Sequence, residues 1–309
     1  MNDLVIVIVG PTAVGKTEVG IELSNIIPCE IVSADSMAVY KEMDIGTAKP
    51  SKEEMLKVRF HLIDVADPFY HFSVGEFQRL AHNAIDGIIA KSKVPVVLGG
   101  SGLYVRAAID GLDETVPDTN MNLRKQLFEK ANMEGVEKTY SHLMDIDPKH
   151  AKTIHPNNLK RVVRALEIYY TTGKKPSELY TIKNSKKTKY KNALFFGLDM
   201  NREVLYNRIE LRVDKMINSG LVEEVKRLLD RNIDINLPSM QGLGYKEIVL
   251  YLNGSCSLDE AVALLKKNTR QFAKRQYTWF RADERINWIC VDGLTAREVS
   301  LKIKEYLPR

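Results

Sequence analysis

Leu4-Val5-Ile6-Val7-Ile8-Val9 runs without a break into Gly10-Pro11-Thr12-Ala13-Val14-Gly15-Lys16-Thr17, and this stretch decides the fold. An unbroken run of branched apolar residues predicts a strand covered on both faces, as in the middle of a parallel sheet. The glycine-containing turn after it, with a helix expected from Lys16, has the form of a phosphate-binding loop. The first amides of a helix lack partners and its dipole is positive at that end, so an anion is stabilised there. Gly10 and Gly15 let the backbone curl around phosphate oxygens, Lys16 adds a point charge, and the Thr17 hydroxyl is the expected magnesium ligand. The whole loop, Gly10, Pro11, Thr12, Ala13, Val14, Gly15, Lys16 and Thr17, therefore predicts a diphosphate or triphosphate ligand without identifying a reaction.

Working outward, strands are expected at 29–33, 61–65 and 94–98 and helices at 16–27 and 74–92. The second of these helices opens at Ser73-Val74-Gly75-Glu76, a capping box in which hydroxyl and carboxylate satisfy amides at the helix start. This alternation predicts an α/β fold with a parallel sheet. From Asp113 the pattern turns helical without strands, broken by Pro117, Pro148, Pro156 and Pro176. Sheet character returns at 194–198, with helices expected at 202–219 and 221–232, then a loop at 238–244. A long helix capped at Ser257 to Glu260 should reach Arg281, before a strand at 286–291 and a helix capped at Thr295 to Glu298. The expected organisation is a P-loop parallel-sheet core in two parts, 1–112 and 193–309, interrupted by a helical insertion domain at 113–192.

The composition, 44% hydrophobic over 309 residues, supports a folded core. Leu4 to Val9 is too short for a signal or membrane segment, so the chain is expected to be cytoplasmic and without a membrane partner. Cys29, Cys256 and Cys290 are far apart among apolar neighbours, which predicts buried thiols and neither a zinc site nor a disulfide framework. The net charge is +5, yet residues 113–192 alone hold sixteen Lys and Arg against ten Asp and Glu. A basic middle in a neutral body suggests a polyanion larger than a nucleotide.

Two acidic candidates follow apolar strands, Asp35 after Ile31-Val32-Ser33-Ala34 and Asp64 after His61-Leu62-Ile63; either could hold magnesium through water. The strand Pro95 to Leu98 ends instead in a second glycine turn, Gly99-Gly100-Ser101-Gly102. Asp35 and this turn are both expected at carboxyl ends of parallel strands, beside the phosphate loop, where open α/β sheets bind ligands.

Gly-Pro-Thr-Ala-x-Gly-Lys-Thr, then Ser33-Ala34-Asp35-Ser36 with Tyr40, Met43-Asp44-Ile45-Gly46-Thr47-Ala48-Lys49-Pro50 and Gly99-Gly100-Ser101-Gly102-Leu103-Tyr104 together resemble the bacterial tRNA dimethylallyltransferases. The resemblance continues through Ile154 to Asn158, Arg164 to Glu167, Arg208 to Val213 and Gln276 to Arg281. It implies transfer of a dimethylallyl group from its diphosphate to N6 of adenosine 37 in the anticodon stem-loop of tRNA, by a monomeric enzyme using Mg2+. It makes Asp35 the orienter and base for the amine, and it adds Arg212 to Lys16, Thr17 and the loop amides on the diphosphate. It assigns tRNA contacts to Asp35, Ser36, Met37, Ala38, Ser101, Arg124, Lys160, Arg161, Val162, Val163, Arg164, Gln241, Gly242, Gly244, Tyr245, Lys246, Lys274, Arg275 and Arg281. Lys267, Arg270, Lys274 and Arg281 share a helical stripe suited to phosphates. Tyr277, Trp279 and Phe280 read instead as the buried face of that helix. Without the resemblance, a P-loop small-molecule kinase and an RNA-binding protein with a nucleotide switch also fit the loop.

Overall fold

The computed structural model describes residues 3–112, 120–181 and 188–308. The chain divides into two compact units, Met1–Asp110 with Lys189–Arg309, and Gly111–Thr188. In the first unit the order is β1 (Leu4–Val9), α1 (Lys16–Ser24), β2 (Cys29–Ser33), α2 (Lys52–Lys57), β3 (Phe60–His61), α3 (Val74–Ile89), β4 (Val94–Gly99) and α4 (Gly102–Ile109). The helical unit contributes α5 (Met121–Glu134), α6 (Val136–Ile146), α7 (Pro148–Ala151), α8 (Leu159–Thr172) and α9 (Pro176–Thr181). The first unit then resumes with β5 (Asn192–Asp199), α10 (Arg202–Asn218), α11 (Leu221–Asp230), α12 (Tyr245–Leu252), α13 (Leu258–Arg281), β6 (Ile286–Cys290) and α14 (Ala296–Glu305).

The six strands form one parallel sheet in the order β3-β2-β4-β1-β5-β6. Every residue of β1 is buried, which is why its sequence shows no polar alternation. Val9 is in register with Gly99 on one side and Gly197 on the other, so the sheet is centred on the strand that feeds the phosphate loop. The chain leaves β1 toward β2 on one side and later returns to β5 on the other. That reversal of strand order marks the crevice where such sheets bind ligands. Leu23, Ile31, Phe196, Ile209 and Ile303, all under 2% exposed, join sheet and covering helices in one core. The capping boxes read at Ser73, Ser257 and Thr295 are all made, each Ser or Thr oxygen accepting from the amide three residues on. Such a cap contributes about 1 kcal/mol.

Several expectations are corrected. The strand expected at 61–65 stops at His61, because Leu62 and Asp64 take left-handed φ values of 64° and 56° and the chain turns back. Val65 and Ala66 then donate to the Val39 carbonyl and not to a sheet neighbour. Helix α1 ends at Ser24 rather than 27, where Asn25 and Ile26 switch to tighter bonds onto Glu22 and Leu23. Helices α2, α4 and α12 are additional; each is short, with six to eight residues, too few turns for a periodic pattern to stand out. Of the three cysteines only Cys29 is buried, Cys256 being half-buried and Cys290 exposed.

The helical unit has its own small core of Leu143, Ala151, Ile154, Val162, Ala165 and Leu166. At its centre the fully buried carboxylate of Glu167 accepts from the Asn120 amide and from Arg124 Nε, both at 2.8 Å. Arg164 completes the set, its guanidinium 2.8 Å from Glu167 Oε1.

Candidate active site

Strand order converts three separate motifs into one site. β2, β4 and β1 are adjacent and parallel, so Asp35 beyond β2, the turn Gly99 to Ser101 beyond β4 and the loop beyond β1 leave the sheet at the same edge. They border a cleft of about 660 Å³. Gly99 has no substitute here, since a Cβ would overlap the backbone of Ala34 on the neighbouring strand end. Gly15 serves as N-cap of α1 in the left-handed region, φ 103°, and no side chain caps that helix, which leaves its first amides for an anion.

Within the loop, Lys16 Nζ donates to the carbonyls of Gly10 and Pro11 at 3.0 and 2.7 Å. Burial lowers its pKa to about 8, the Arg212 guanidinium adds to the effect, and the Asp35 carboxylate opposes it. Burial also lowers the pKa of Arg212, again opposed by Asp35. Lys16, Arg212 and Asp35 therefore form one electrostatic group, and two cations crowded in a half-buried site are what a polyanion relieves. Thr12, Ala13, Gly15 and Thr17 line the cleft, while Pro11 and Val14 are buried beneath it.

Asp35 is held in place by its own chain. Its Oδ1 accepts from the amides of Met37 and Ala38 at 2.8 and 3.3 Å, and among the described residues Oδ2 has no hydrogen-bond partner. Ser101 Oγ accepts from the Ser36 amide at 3.0 Å and contacts Ser36 Oγ at 3.1 Å, tying the second glycine turn to the Asp35 segment. The other acidic candidate, Asp64, is bound by Lys49 at 2.6 Å together with Asp44 at 2.7 Å.

Glu224, outside the sequence-derived site, and Gln276, which opens the Gln276 to Arg281 stretch of the resemblance, organise the site. Gln276 of α13, 5% exposed, accepts from the Thr12 amide at 2.8 Å and donates to the Gly100 carbonyl at 2.9 Å, clamping the two glycine turns together. Glu224 of α11, 2% exposed, accepts from the amides of Asp44, Ile45 and Gly46 and from the Tyr245 hydroxyl at 2.7 Å. One carboxylate thus fixes the loop after Tyr40, which lines the cleft with Asp44, Ile45 and Thr47. These bonds are not local in sequence: Gln276 reaches partners 264 and 176 residues away, and Glu224 reaches its three loop amides across 178 to 180 residues.

The expected tRNA contacts fall into three groups. Lys160, Arg161, Gln241, Lys274, Arg275 and Arg281 are exposed. Asp35, Ser36, Met37, Ser101, Arg124, Arg164 and Lys246 are half-buried, Arg124 and Arg164 being engaged by Glu167. Val162, Val163 and Tyr245 are fully buried, so their side chains offer nothing to an RNA, and Ala38, Gly242 and Gly244 are buried as well. Val162 and Val163 lie on the inner face of α8, and Tyr245 is occupied with Glu224. Within the expected stripe Arg270 is bound to Glu210. Phe280 is buried and Tyr277 packs on the core, but Trp279 is 45% exposed, against expectation.

Residues 38–283 match the IPP transferase family and residues 3–67 the isopentenyl transferase family. The tRNA dimethylallyltransferase of Desulforudis audaxviator is 50% identical over 287 residues, 93% of this chain and 92% of that protein. That of Halothermothrix orenii is 46% identical over 304 residues, 98% of this chain and 92% of that protein. Among solved structures, the full-length tRNA isopentenylpyrophosphate transferase of Bacillus halodurans is similar with a TM-score of 0.73 at 42% identity, covering 99% of this chain and 95% of that one. A eukaryotic dimethylallyltransferase acting on tRNA gives 0.82 at 28% identity, over 99% of this chain and 80% of that one.

Proposed function

The chain belongs to the tRNA dimethylallyltransferase family, and from that premise we propose that it transfers a dimethylallyl group from dimethylallyl diphosphate to N6 of adenosine 37 in tRNA. The observation that carries this reading is a fixed carboxylate, Asp35, at the same sheet edge as an uncapped phosphate loop and in electrostatic reach of its two cations.

The loop amides, Lys16 and Arg212 hold the diphosphate. As the allylic carbon–oxygen bond breaks, its electrons and charge pass to the leaving diphosphate, and preorganised donors there lower the barrier. Arg212 presents a planar fork suited to two phosphate oxygens at once. On the other side N6 of the adenine forms the new carbon–nitrogen bond and sheds a proton. Asp35 Oδ2 accepts that proton while Oδ1, bound to two amides, keeps the carboxylate from rotating.

The donor set fits a magnesium ion held largely by the substrate. Thr17 and Asp35 line one cleft, while among the described residues no group of three His, Cys, Asp or Glu could hold a metal. Magnesium keeps several waters and takes one or two protein ligands beside phosphate oxygens. Thr17 is the residue that would hold it, and the ion would add positive charge against the departing diphosphate. No helix among the described residues is long and apolar enough to cross a membrane.

The test is direct. Unmodified tRNA, magnesium and dimethylallyl diphosphate are incubated with the protein, the RNA is digested, and the nucleosides are weighed. An adenosine heavier by one prenyl group, mapped to position 37, is expected. Unchanged RNA, with ATP converted to ADP and a metabolite phosphorylated in a parallel incubation, would support a kinase and defeat the proposal.

A further inference from the structure

Helix α10 turns a row of cations into the sheet-end cleft: Arg208, Arg212 and Lys215, at i, i+4 and i+7, all line it. Two carboxylates of the same helix point elsewhere, Glu210 to Arg270 at 2.5 Å and Asp214 to Lys266 at 2.7 Å, both partners being on α13. These ion pairs hold α10 against α13 and leave the row without them. Arg208 is exposed and has no hydrogen bond or ion pair among the described residues.

Its guanidinium reaches the phosphate loop. A Cβ on Gly15, the N-cap of α1, would lie 3.8 Å from Arg208 Nη2, so the group stands beside the helix end whose free amides suit an anion. Burial lowers the pKa of Arg212, Asp35 and Glu18 oppose this, and the Arg208 charge adds to it. Two guanidinia one turn apart therefore repel, and an anion shared between them relieves the repulsion.

Topology brings Arg208 in from the side opposite Asp35. On one side of β1 lie β4 and then β2, which leads to Asp35; on the other lies β5, which leads to α10. With the reacting carbon toward Asp35, the α10 side meets the far end of a diphosphate in the loop.

Resting on the reading that dimethylallyl diphosphate fills the loop, we infer that Arg208 binds its terminal phosphate from the solvent side of the site. As the carbon–oxygen bond breaks, new charge develops chiefly on the released oxygen of the inner phosphate, whereas the terminal phosphate is anionic throughout. A cation on that phosphate binds substrate, transition state and product alike, which lowers KM without raising the rate of the saturated enzyme. Glu18 lines the same cleft with its Oε2 3.8 Å from the same point beside Gly15, and its charge acts with the opposite sign.

The experiment compares the wild type with Arg208→Gln, Arg208→Lys and Glu18→Gln. Inorganic diphosphate with magnesium is titrated calorimetrically, and KM for dimethylallyl diphosphate and the saturated single-turnover rate are measured beside it. Arg208→Gln should weaken both ligands about tenfold, the usual size of one charge-assisted contact, and leave the saturated rate within about twofold. Arg208→Lys should recover affinity to within about threefold, and Glu18→Gln should tighten it about twofold. Wild-type diphosphate affinity in Arg208→Gln overturns the inference. So does a loss confined to RNA affinity, which would put an RNA phosphate on Arg208, or a fall in saturated rate at unchanged affinity, which would move it to the reacting end. A wild-type protein that binds diphosphate but prenylates no tRNA defeats the proposed function separately, and the inorganic diphosphate titrations still decide the contact.

Discussion

The sheet-end cleft and the helical unit Gly111–Thr188 use charge in opposite ways. In the cleft Lys16 and Arg212 are half-buried without a carboxylate salt bridge among the described residues, and burial disfavours their charged forms. In the helical unit Lys160 and Arg161 project into solvent, while Arg124 and Arg164 are paired with one buried carboxylate. The first arrangement spends folding stability on a site that a small polyanion completes. The second offers cations already satisfied by water or by Glu167, which suits a long polyanion gripped at many weak points. A residue's contribution should therefore be large and specific in the cleft, small and additive in the helical unit.

The strongest attempt to break this contrast is Asp35→Asn. The amide keeps the shape and an oxygen for the Met37 and Ala38 amides but cannot take a proton. The single-turnover rate should fall by about a hundredfold to ten-thousandfold. Diphosphate affinity should stay within about twofold, since the loop amides, Lys16 and Arg212 hold that ligand. If diphosphate affinity collapses instead and extra magnesium restores it, Asp35 is a metal-site residue and the mechanism fails at its centre.

Removing buried carboxylates compares the two regions directly. Glu224→Ala strands the amides of Asp44, Ile45 and Gly46 and the Tyr245 hydroxyl in the interior, with an expected loss of about 3 kcal/mol in urea unfolding. Glu167→Ala should cost less, about 2 kcal/mol, because its Arg124 and Arg164 partners are 24% and 27% exposed and water can replace part of the pairing. Equal losses would mean that exposure of the partners does not govern the cost.

Much of this was legible in the sequence, for identifiable reasons. The phosphate loop and the capping boxes at Ser73, Ser257 and Thr295 are local: a few residues contain both donor and acceptor. Glu224 was not legible, and Gln276 was marked by the resemblance without its clamping role, since a Glu or Gln in a helix has the same local appearance whether it faces water or clamps a distant loop. Val162, Val163 and Tyr245 show the converse: their burial was not legible. They stand in sequence beside plausible RNA-binding residues, but helical geometry turns them inward. Trp279 failed because helical periodicity gives the average direction of a face, and this ring lies at its margin against Gly102.

Acidity offers a smaller lever on the cleft. With the Lys16 pKa at about 8 in the unliganded site, the amine is half neutral at that pH, and a bound diphosphate favours its protonated form. Diphosphate affinity should be flat from pH 6 to about 7.5 and then fall by up to about tenfold per pH unit above 8. The same shift bears on folding: a lysine whose folded pKa lies below its unfolded 10.5 opposes folding below pH 8, and the opposition fades between 8 and 10.5. Calorimetric titration of Lys16→Met should give a weaker and flatter profile; an unaltered slope would assign the pH dependence to another group.

The smallest expected effect lies on the helical unit and sharpens the contrast most. Lys160 is exposed and has no ion pair among the described residues, so Lys160→Ala removes one solvated cation and little else. If that face tracks RNA phosphates, tRNA affinity should fall only about threefold at moderate salt, and the slope of log K against log salt should shrink by about 1. Val162→Ala, two residues away but buried, should do the reverse, lowering unfolding stability while leaving the salt slope intact. The two substitutions thus separate surface that meets RNA from core that holds the surface in shape. Should Lys160→Ala leave the slope untouched while Arg275→Ala on α13 reduces it, the polyanion is gripped by the sheet-bearing unit, and the basic charge of residues 113–192 is only a solvated face.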